Sequence, residues 1–155
     1  MNQASVSVRI KILDVNDNPP IFDQTLGETS WPENAKLGLD GPVKRFRVVD
    51  NDTGKNGEVK FEVVGDDAKF FGVDSETKAE LPDKTTSYAV LYPKIPLDYE
   101  SKTEHRIRIR AKNIVEYTSV DESILEPELE LVIKIENVNE PPQFAKKLFI
   151  FEGKL

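Results

Sequence analysis

Glu128-Leu129-Glu130-Leu131-Val132-Ile133-Lys134-Ile135-Glu136 is the stretch that decides the fold class. Leu129, Leu131, Ile133 and Ile135 alternate with Glu128, Glu130 and Lys134, so a two-residue period sends one set to a buried sheet face and the other to solvent. The same alternation recurs along the chain. Val6, Val8, Ile10 and Ile12 alternate with Ser5, Ser7, Arg9 and Lys11, and Val59, Phe61 and Val63 with Lys60 and Glu62. Ile107, Ile109 and Ala111 alternate with Arg106, Arg108 and Arg110, while Phe46 and Val48 sit among basic residues. Each reads as a strand with one buried face. Apolar residues at helical spacing are missing from any long stretch, and 10 prolines punctuate the chain, so nothing beyond short helical turns is expected. Glu80–Ser87 and Ile114–Pro127, rich in charge and hydroxyl groups, read as long loops.

The two clearest strands run into similar segments, Asp14-Val15-Asn16-Asp17-Asn18-Pro19-Pro20 and Asn137-Val138-Asn139-Glu140-Pro141-Pro142. Their first residues are 137 − 14 = 123 positions apart, about one domain, and the prolines stop each strand and stiffen its exit. The expected organisation is the end of a preceding repeat and its linker over 1–18, one complete repeat over 19–136, and a linker with the first strand of a following repeat over 137–155. Length agrees, since 155 residues suit one well-buried core. With 38% hydrophobic and 32% charged residues the chain reads as a soluble globular domain. Lys+Arg 21 against Asp+Glu 28 leaves a net charge of −7, which disfavours nucleic acid and anionic membrane surfaces and suits cations. Without Cys there is no disulfide, thiolate nucleophile or zinc-thiolate site. No segment approaches the roughly 18 apolar residues that span a bilayer, and any signal or anchor is expected outside this chain.

Oxygen donors gather beside the boundaries: Asp14, Asn16, Asp17 and Asn18 at one, and Asp50, Asp52 and Asn56 in the loop Val49-Asp50-Asn51-Asp52-Thr53-Gly54-Lys55-Asn56-Gly57. Calcium takes about 6 to 8 oxygen ligands, and a dense carboxylate group lacking His or Cys favours it over zinc or copper, and over magnesium, which keeps its waters. The ordinary alternative is that Asp and Asn collect in turns because they cap backbone groups. An EF-hand does not fit: counted from Asp50, the sixth position is Lys55 where Gly is needed and the twelfth is Phe61 where Glu is needed. Any ion must be held by segments distant in sequence.

Asp14-Val15-Asn16-Asp17-Asn18-Pro19-Pro20-Ile21-Phe22, Pro32-Glu33-Asn34, Asp50-Asn51-Asp52, Asn56-Gly57 and Leu97-Asp98-Tyr99-Glu100 occur in the order found in cadherin repeats, and the chain resembles a cadherin ectodomain fragment along nearly its whole length. The resemblance implies a seven-stranded Greek-key β-sandwich with calcium at the junctions between repeats. At the upstream junction it implies Asn16, the Asn18 carbonyl, Asp50, Asp52 and the Asn56 carbonyl as ligands, with Asp14 and Asp17 serving neighbouring ions. Asn113, in Ala111-Lys112-Asn113, stands where the family usually has Asp, which keeps an oxygen ligand but removes a negative charge. At the downstream junction it implies Glu33, Asp98 and Glu100, with Glu140 at the linker position usually held by Asp. Asn137 replaces the usual first Asp and nothing corresponds to Asn18, so fewer ions are expected there.

The function implied is that of a non-enzymatic, extracellular, calcium-binding repeat of a single-pass cell-surface protein, rigidifying a tandem array for cell adhesion. Its partners would be calcium and other cadherin-type ectodomains or a protein ligand, without nucleic acid or direct membrane contact. A second reading is a ligand- or toxin-recognition module using the Ile114–Pro127 or Glu80–Ser87 loop, with calcium as scaffolding. A carbohydrate-binding sandwich has little support at 8% aromatic residues and one Trp. Catalysis has as little: there is one His and no G-x-S-x-G, and linkers leave scant room for a glycosidase cleft around Glu33, Asp98 and Glu100. His105 shares the parity of Ile107 and Ile109 and is expected at the core edge, Trp31 packs near a strand, and the basic strand faces Lys44/Arg45/Arg47 and Arg106/Arg108/Arg110 balance neighbouring acids. Asn51-Asp52-Thr53 is an N-glycosylation sequon.

Overall fold

The computed structural model describes residues 4–81, 84–118 and 126–142. Among the described residues eight strands form two four-stranded sheets: β1 (Ile21–Phe22), β2 (Leu26–Pro32), β3 (Lys44–Asp50), β4 (Val59–Val64), β5 (Phe71–Leu81), β6 (Lys84–Pro93), β7 (Glu104–Asn113) and β8 (Glu128–Glu136). One sheet has the order β1-β3-β6-β5 and the other β2-β8-β7-β4. β1 and β2 are two parts of one run that changes sheet at Asp23-Gln24-Thr25, β1 pairing antiparallel with β3 and β2 parallel with β8. Counted as one, they make the sandwich seven-stranded, as the resemblance implied. Helical structure among the described residues is confined to three 3₁₀ turns, including Gly54–Gly57.

The period-two residues supply the core. Val48, Ile109, Leu129 and Ile133 are fully buried, joined by Phe46, Val59, Ile107, Ala111, Leu131 and Ile135, and Trp31 packs on Phe71 with ring centroids 5.8 Å apart. At about 25 cal/mol per Å² of apolar surface, these inner faces are the main favourable contribution to folding. His105 is buried as well, with its ring 4.5 Å from that of Phe70. The outward basic residues are paired with acids: Arg45 with Glu76, Arg47 with Asp23, Arg106 with Glu104, and Arg108 and Arg110 with Glu128.

Two sequence expectations are corrected. Glu80–Ser87 is mostly strand: 80–81 end β5 and 84–87 begin β6, a central strand between β3 and β5, while 82–83 lie outside the described residues. Thr85, Thr86 and Ser87 are buried there, and the Thr85 hydroxyl donates to the Asp52 carbonyl at 3.0 Å, so satisfied hydroxyls break the apolar alternation without breaking the strand. The alternating segment 5–12 forms no strand. Val6, Val8, Ile10 and Ile12 are all exposed, because no described strand offers them a hydrogen-bonding edge or an apolar face. The Ile114–Pro127 loop is seen at 114–118 and 126–127; the rest of it, and 143–155, lie outside the described residues. Among the described residues no helix is long and apolar enough to cross a membrane.

Candidate metal centres

The antiparallel register of β7 and β8, with His105 opposite Ile133, puts Asn113 and Glu136 at opposite ends of the sandwich. The two groups of sequence-predicted ligands fall at those two ends.

At the upstream end β3 terminates in Asp50 and β7 in Asn113. Asp50 is fully buried; its Oδ1 accepts the Asp52 amide at 2.8 Å and its Oδ2 the Asn113 Nδ2 at 2.7 Å. Burial is the main cause that raises the Asp50 carboxyl above its usual range, outweighing those donors, and the charges of Asp52 and Asp14 add to the rise. Asp52, also buried, receives residues 17 and 18: its Oδ2 accepts the amides of Asp17 and Asn18 at 3.1 and 3.0 Å, and its Oδ1 accepts Asn18 Nδ2 at 2.6 Å. Asn18 Nδ2 also reaches Asp17 Oδ1 at 2.7 Å. Asp14 Oδ2 accepts from Asn56 Nδ2 and from the Thr53 amide, both at 2.9 Å, and these donors, Asn56 first, hold its carboxyl below the usual range. Asn16 is buried, with Nδ2 donating to the Val115 carbonyl at 2.6 Å and its carbonyl accepting the Thr118 amide at 2.9 Å, whereas its Oδ1 has no hydrogen-bond partner. Gly57 closes this end because a Cβ there would overlap the Asp52 carbonyl oxygen and the Thr85 side chain.

The fold thus gathers all eight upstream candidates: Asp14, Asn16, Asp17, Asn18, Asp50, Asp52, Asn56 and Asn113. Tyr117 joins them unforeseen, its hydroxyl donating to Asn113 Oδ1 at 2.9 Å. The available signal was an aromatic hydroxyl four residues beyond a strand-end amide, in a segment read only as loop.

At the downstream end β2 and β8 finish side by side, Pro32 paired with Glu136, and the chain beyond each carries the site. Glu33 is buried; its Oε1 accepts the Val138 amide at 2.7 Å and its Oε2 the Tyr99 amide at 3.0 Å. These amides, Val138 foremost, lower its carboxyl's pKa. Asp98 accepts the Ser101 hydroxyl at 2.6 Å and the Ser101 amide at 3.2 Å, which lower it too, and Glu100 accepts Asn137 Nδ2 at 3.2 Å. One carboxylate oxygen from each of Glu33, Asp98 and Glu100 lies within 4.8 Å of the others. Glu140 is exposed in the linker and outside this triad.

Both donor sets fit a hard cation. Every side chain in them offers carboxylate, amide or carbonyl oxygen, with no sulfur or imidazole, and such sets prefer calcium to zinc or copper. The buried unpartnered Asn16 Oδ1 and the converging downstream carboxylates are each what a cation would relieve. Three side-chain amides turn nitrogen toward these carboxylates, Asn18 toward Asp17 and Asp52, Asn56 toward Asp14 and Asn113 toward Asp50, and an NH₂ group cannot coordinate a cation; of the three, only Asn113 is a candidate through its side chain rather than its backbone carbonyl.

A cadherin-domain family model matches residues 28–136. Human cadherin-12 is 31% identical over 147 residues, covering 94% of this chain and 17% of that protein, and mouse cadherin-8 is 27% identical over 150 residues, covering 96% and 18%. The chain therefore spans less than a fifth of these curated relatives. Among solved structures, the human desmocollin-1 ectodomain superposes with a TM-score of 0.68 at 20% identity, covering 86% of this chain and 24% of that one. Mouse cadherin-23 EC22-24 gives a TM-score of 0.61 at 26% identity, covering 88% and 38%. With the family model over most of the sandwich and the same fold in solved ectodomains, the chain belongs to the cadherin family, whose members are adhesion proteins rather than enzymes.

Proposed function

We propose that this chain is a calcium-binding extracellular repeat of a cell-surface protein, that it rigidifies a tandem array, and that it thereby supports calcium-dependent cell–cell adhesion. Residues 19–136 would be the repeat, 1–18 the end and linker of its predecessor, and 137–155 the linker and first strand of its successor. The supporting observation is the convergence of Glu33, Asp98 and Glu100 within 4.8 Å, with the linker attached to the same side chains through the Val138 amide and Asn137. A cation there would neutralise facing carboxylates and join linker to sandwich through shared ligands; the exposed 5–12 segment would find its sheet in a preceding repeat. At the upstream end Asn16, Asn18, Asp50, Asp52 and Asn56 would hold an ion, with Asp14 and Asp17 toward neighbouring ones. Partners would be other cadherin-type ectodomains or a protein ligand. Of the two loops that a recognition reading would use, one contributes its described residues to strands β5 and β6, so the array reading is favoured.

Calorimetric titration of calcium into the metal-stripped protein tests this. Binding in the range of about 10⁻⁴ to 10⁻³ M is expected for an extracellular module, with separate components removed by Asp50→Ala and Glu100→Ala. At 100 times the dissociation constant, calcium should stabilise the fold by about 2.7 kcal/mol. No heat at several millimolar calcium would overturn the proposal.

A further inference from the structure

Asn113 sits where the upstream carboxylates need a positive partner, yet it faces them with a nitrogen. Its Nδ2 donates to Asp50 Oδ2 and to the Asn56 carbonyl, both at 2.7 Å. These are two of the oxygens the calcium reading assigns to the ion. Its Oδ1 points the other way and accepts the Tyr117 hydroxyl at 2.9 Å. Asn113 and Asp50 are both buried, so water cannot replace these bonds, and a buried acceptor left unpaired is costly. An Asp at this position could donate nothing to either acceptor and would add a charge beside Asp50 and Asp52. A side-chain ligand must present oxygen, however, and the side-chain oxygen of Asn113 is turned away toward Tyr117.

Tyr117 makes the opposite orientation possible. A phenol donates to an amide oxygen or accepts from an amide nitrogen, so turning the Asn113 amide over leaves both groups partnered. The remaining linker bonds reinforce the arrangement: the amides of Asp17 and Asn18 on Asp52, and Asn56 and Thr53 on Asp14, already attach residues 14–18 to the repeat.

We propose that Asn113 is a two-position amide: in the ion-free protein its Nδ2 takes the place of a cation between Asp50 and the Asn56 carbonyl, and calcium binds upstream only when the amide turns its oxygen inward, with Tyr117 serving it in both positions. This rests on the calcium reading of the upstream cluster. It makes upstream docking of the linker stable without calcium and calcium binding there weaker, because each binding event breaks two internal hydrogen bonds.

The test uses the full chain, its Asn113→Asp variant and the milder Tyr117→Phe, with calcium as the probe. In EDTA, Asn113→Asp should melt at least about 4 °C below wild type, and in calcium it should bind upstream at least about tenfold tighter, since ligand charge sets affinity. In the wild type the Asn113 side-chain NH₂ signals should be protected from solvent exchange in EDTA and move on calcium addition; Tyr117→Phe should lose that protection. An Asn113→Asp variant as stable as wild type in EDTA, or one with unchanged calcium affinity, would overturn the proposal. Absence of upstream calcium binding in both proteins would instead sink the calcium reading beneath it, and with it the turning step.

Discussion

The two ends of the sandwich are built from similar residue types and solve the same electrostatic problem differently. Upstream, Asp14, Asp50 and Asp52 are each satisfied by amides, Asp52 from Asn18, Asp14 from Asn56 in the Gly54–Gly57 turn and Asp50 from Asn113 at the end of β7. Downstream, Glu33 is satisfied by two backbone amides, but Asp98 and Glu100 stay exposed and turn oxygens toward it within 4.8 Å. The difference lies in the donors rather than the acids. Side-chain amides are dense upstream, at Asn16, Asn18, Asn56 and Asn113, and sparse downstream, where among the described residues Asn137 alone reaches the triad. An acidic cluster supplied with amides is braced without metal; one without them is left for a cation to complete.

The largest expected effect tests that contrast directly. Asp50→Ala removes a buried acceptor, strands the Asp52 amide and takes from Asn113 Nδ2 one of its two acceptors, leaving only the Asn56 carbonyl, so the metal-free protein should lose about 1–3 kcal/mol. Chemical denaturation in EDTA measures this. Glu100→Gln removes an exposed member of a triad of mutually repelling carboxylates, so metal-free stability should hold or rise slightly while the downstream calcium component disappears. Equal destabilisation by the two substitutions in EDTA would erase the distinction between a braced end and an open one.

An intermediate effect comes from a carboxylate near the downstream end that is not a ligand candidate. Asp67 is buried, accepts Lys102 Nζ at 2.7 Å on both oxygens and the Arg106 amide at 3.0 Å, and lies 3.4 Å from His105 Nδ1. Burial is the largest single influence and raises its carboxyl, but Lys102, the Arg106 amide and His105 together bring it below 3.8. A carboxyl lowered in the folded state adds stability above its unfolded pKa and loses it as pH falls through the lowered value. Asp67→Asn should therefore cost about 1 kcal/mol at pH 7, and the gap to wild type should close only below about pH 4. A gap unchanged down to pH 2 would mean that Asp67 acts through shape rather than charge. Calcium affinity at both ends should stay put.

The fold was legible wherever burial is one-sided. β3, β4, β7 and β8 follow the period-two pattern because their inner faces meet apolar side chains and their outer faces meet water. β6 was illegible because Thr85, Thr86 and Ser87 are buried hydroxyls whose partners, such as the Asp52 carbonyl, come from distant sequence. The reverse failure at 5–12 has the same root: alternation there describes a face, and the face has no partner among the described residues. Candidate oxygen donors could be named from local motifs, and the structure gathers Asp14 to Asn18 with Asp50 to Asn56, and Glu33 with Asp98 and Glu100. What no motif carried was the direction of an amide. Asn113 as a letter is an oxygen donor; only its contacts with Asp50, Asn56 and Tyr117 show that it presents nitrogen.

The smallest effect is the control on which the contrast depends. Arg108 lies in the middle of β7, away from both ends, and pairs with Glu128 at 2.8 Å, with about half of its side chain (47%) exposed. Solvent screens such a pair and ordering two long side chains offsets its attraction, so Arg108→Ala should change stability by no more than about 0.5 kcal/mol, and that change should shrink as salt is raised. Neither calcium component should move. If neutralising this arginine did shift calcium affinity, the two ends would be responding to the net charge of the whole sandwich, and the donor chemistry of Asn113 or of the Glu33 triad would not be what separates them. A salt titration of both components distinguishes these cases: long-range charge loses its hold as the screening length falls to about 3 Å at 1 M, whereas ligand geometry at Asp50 or Glu100 is unaffected, so a difference between the ends that survives high salt belongs to the ligands.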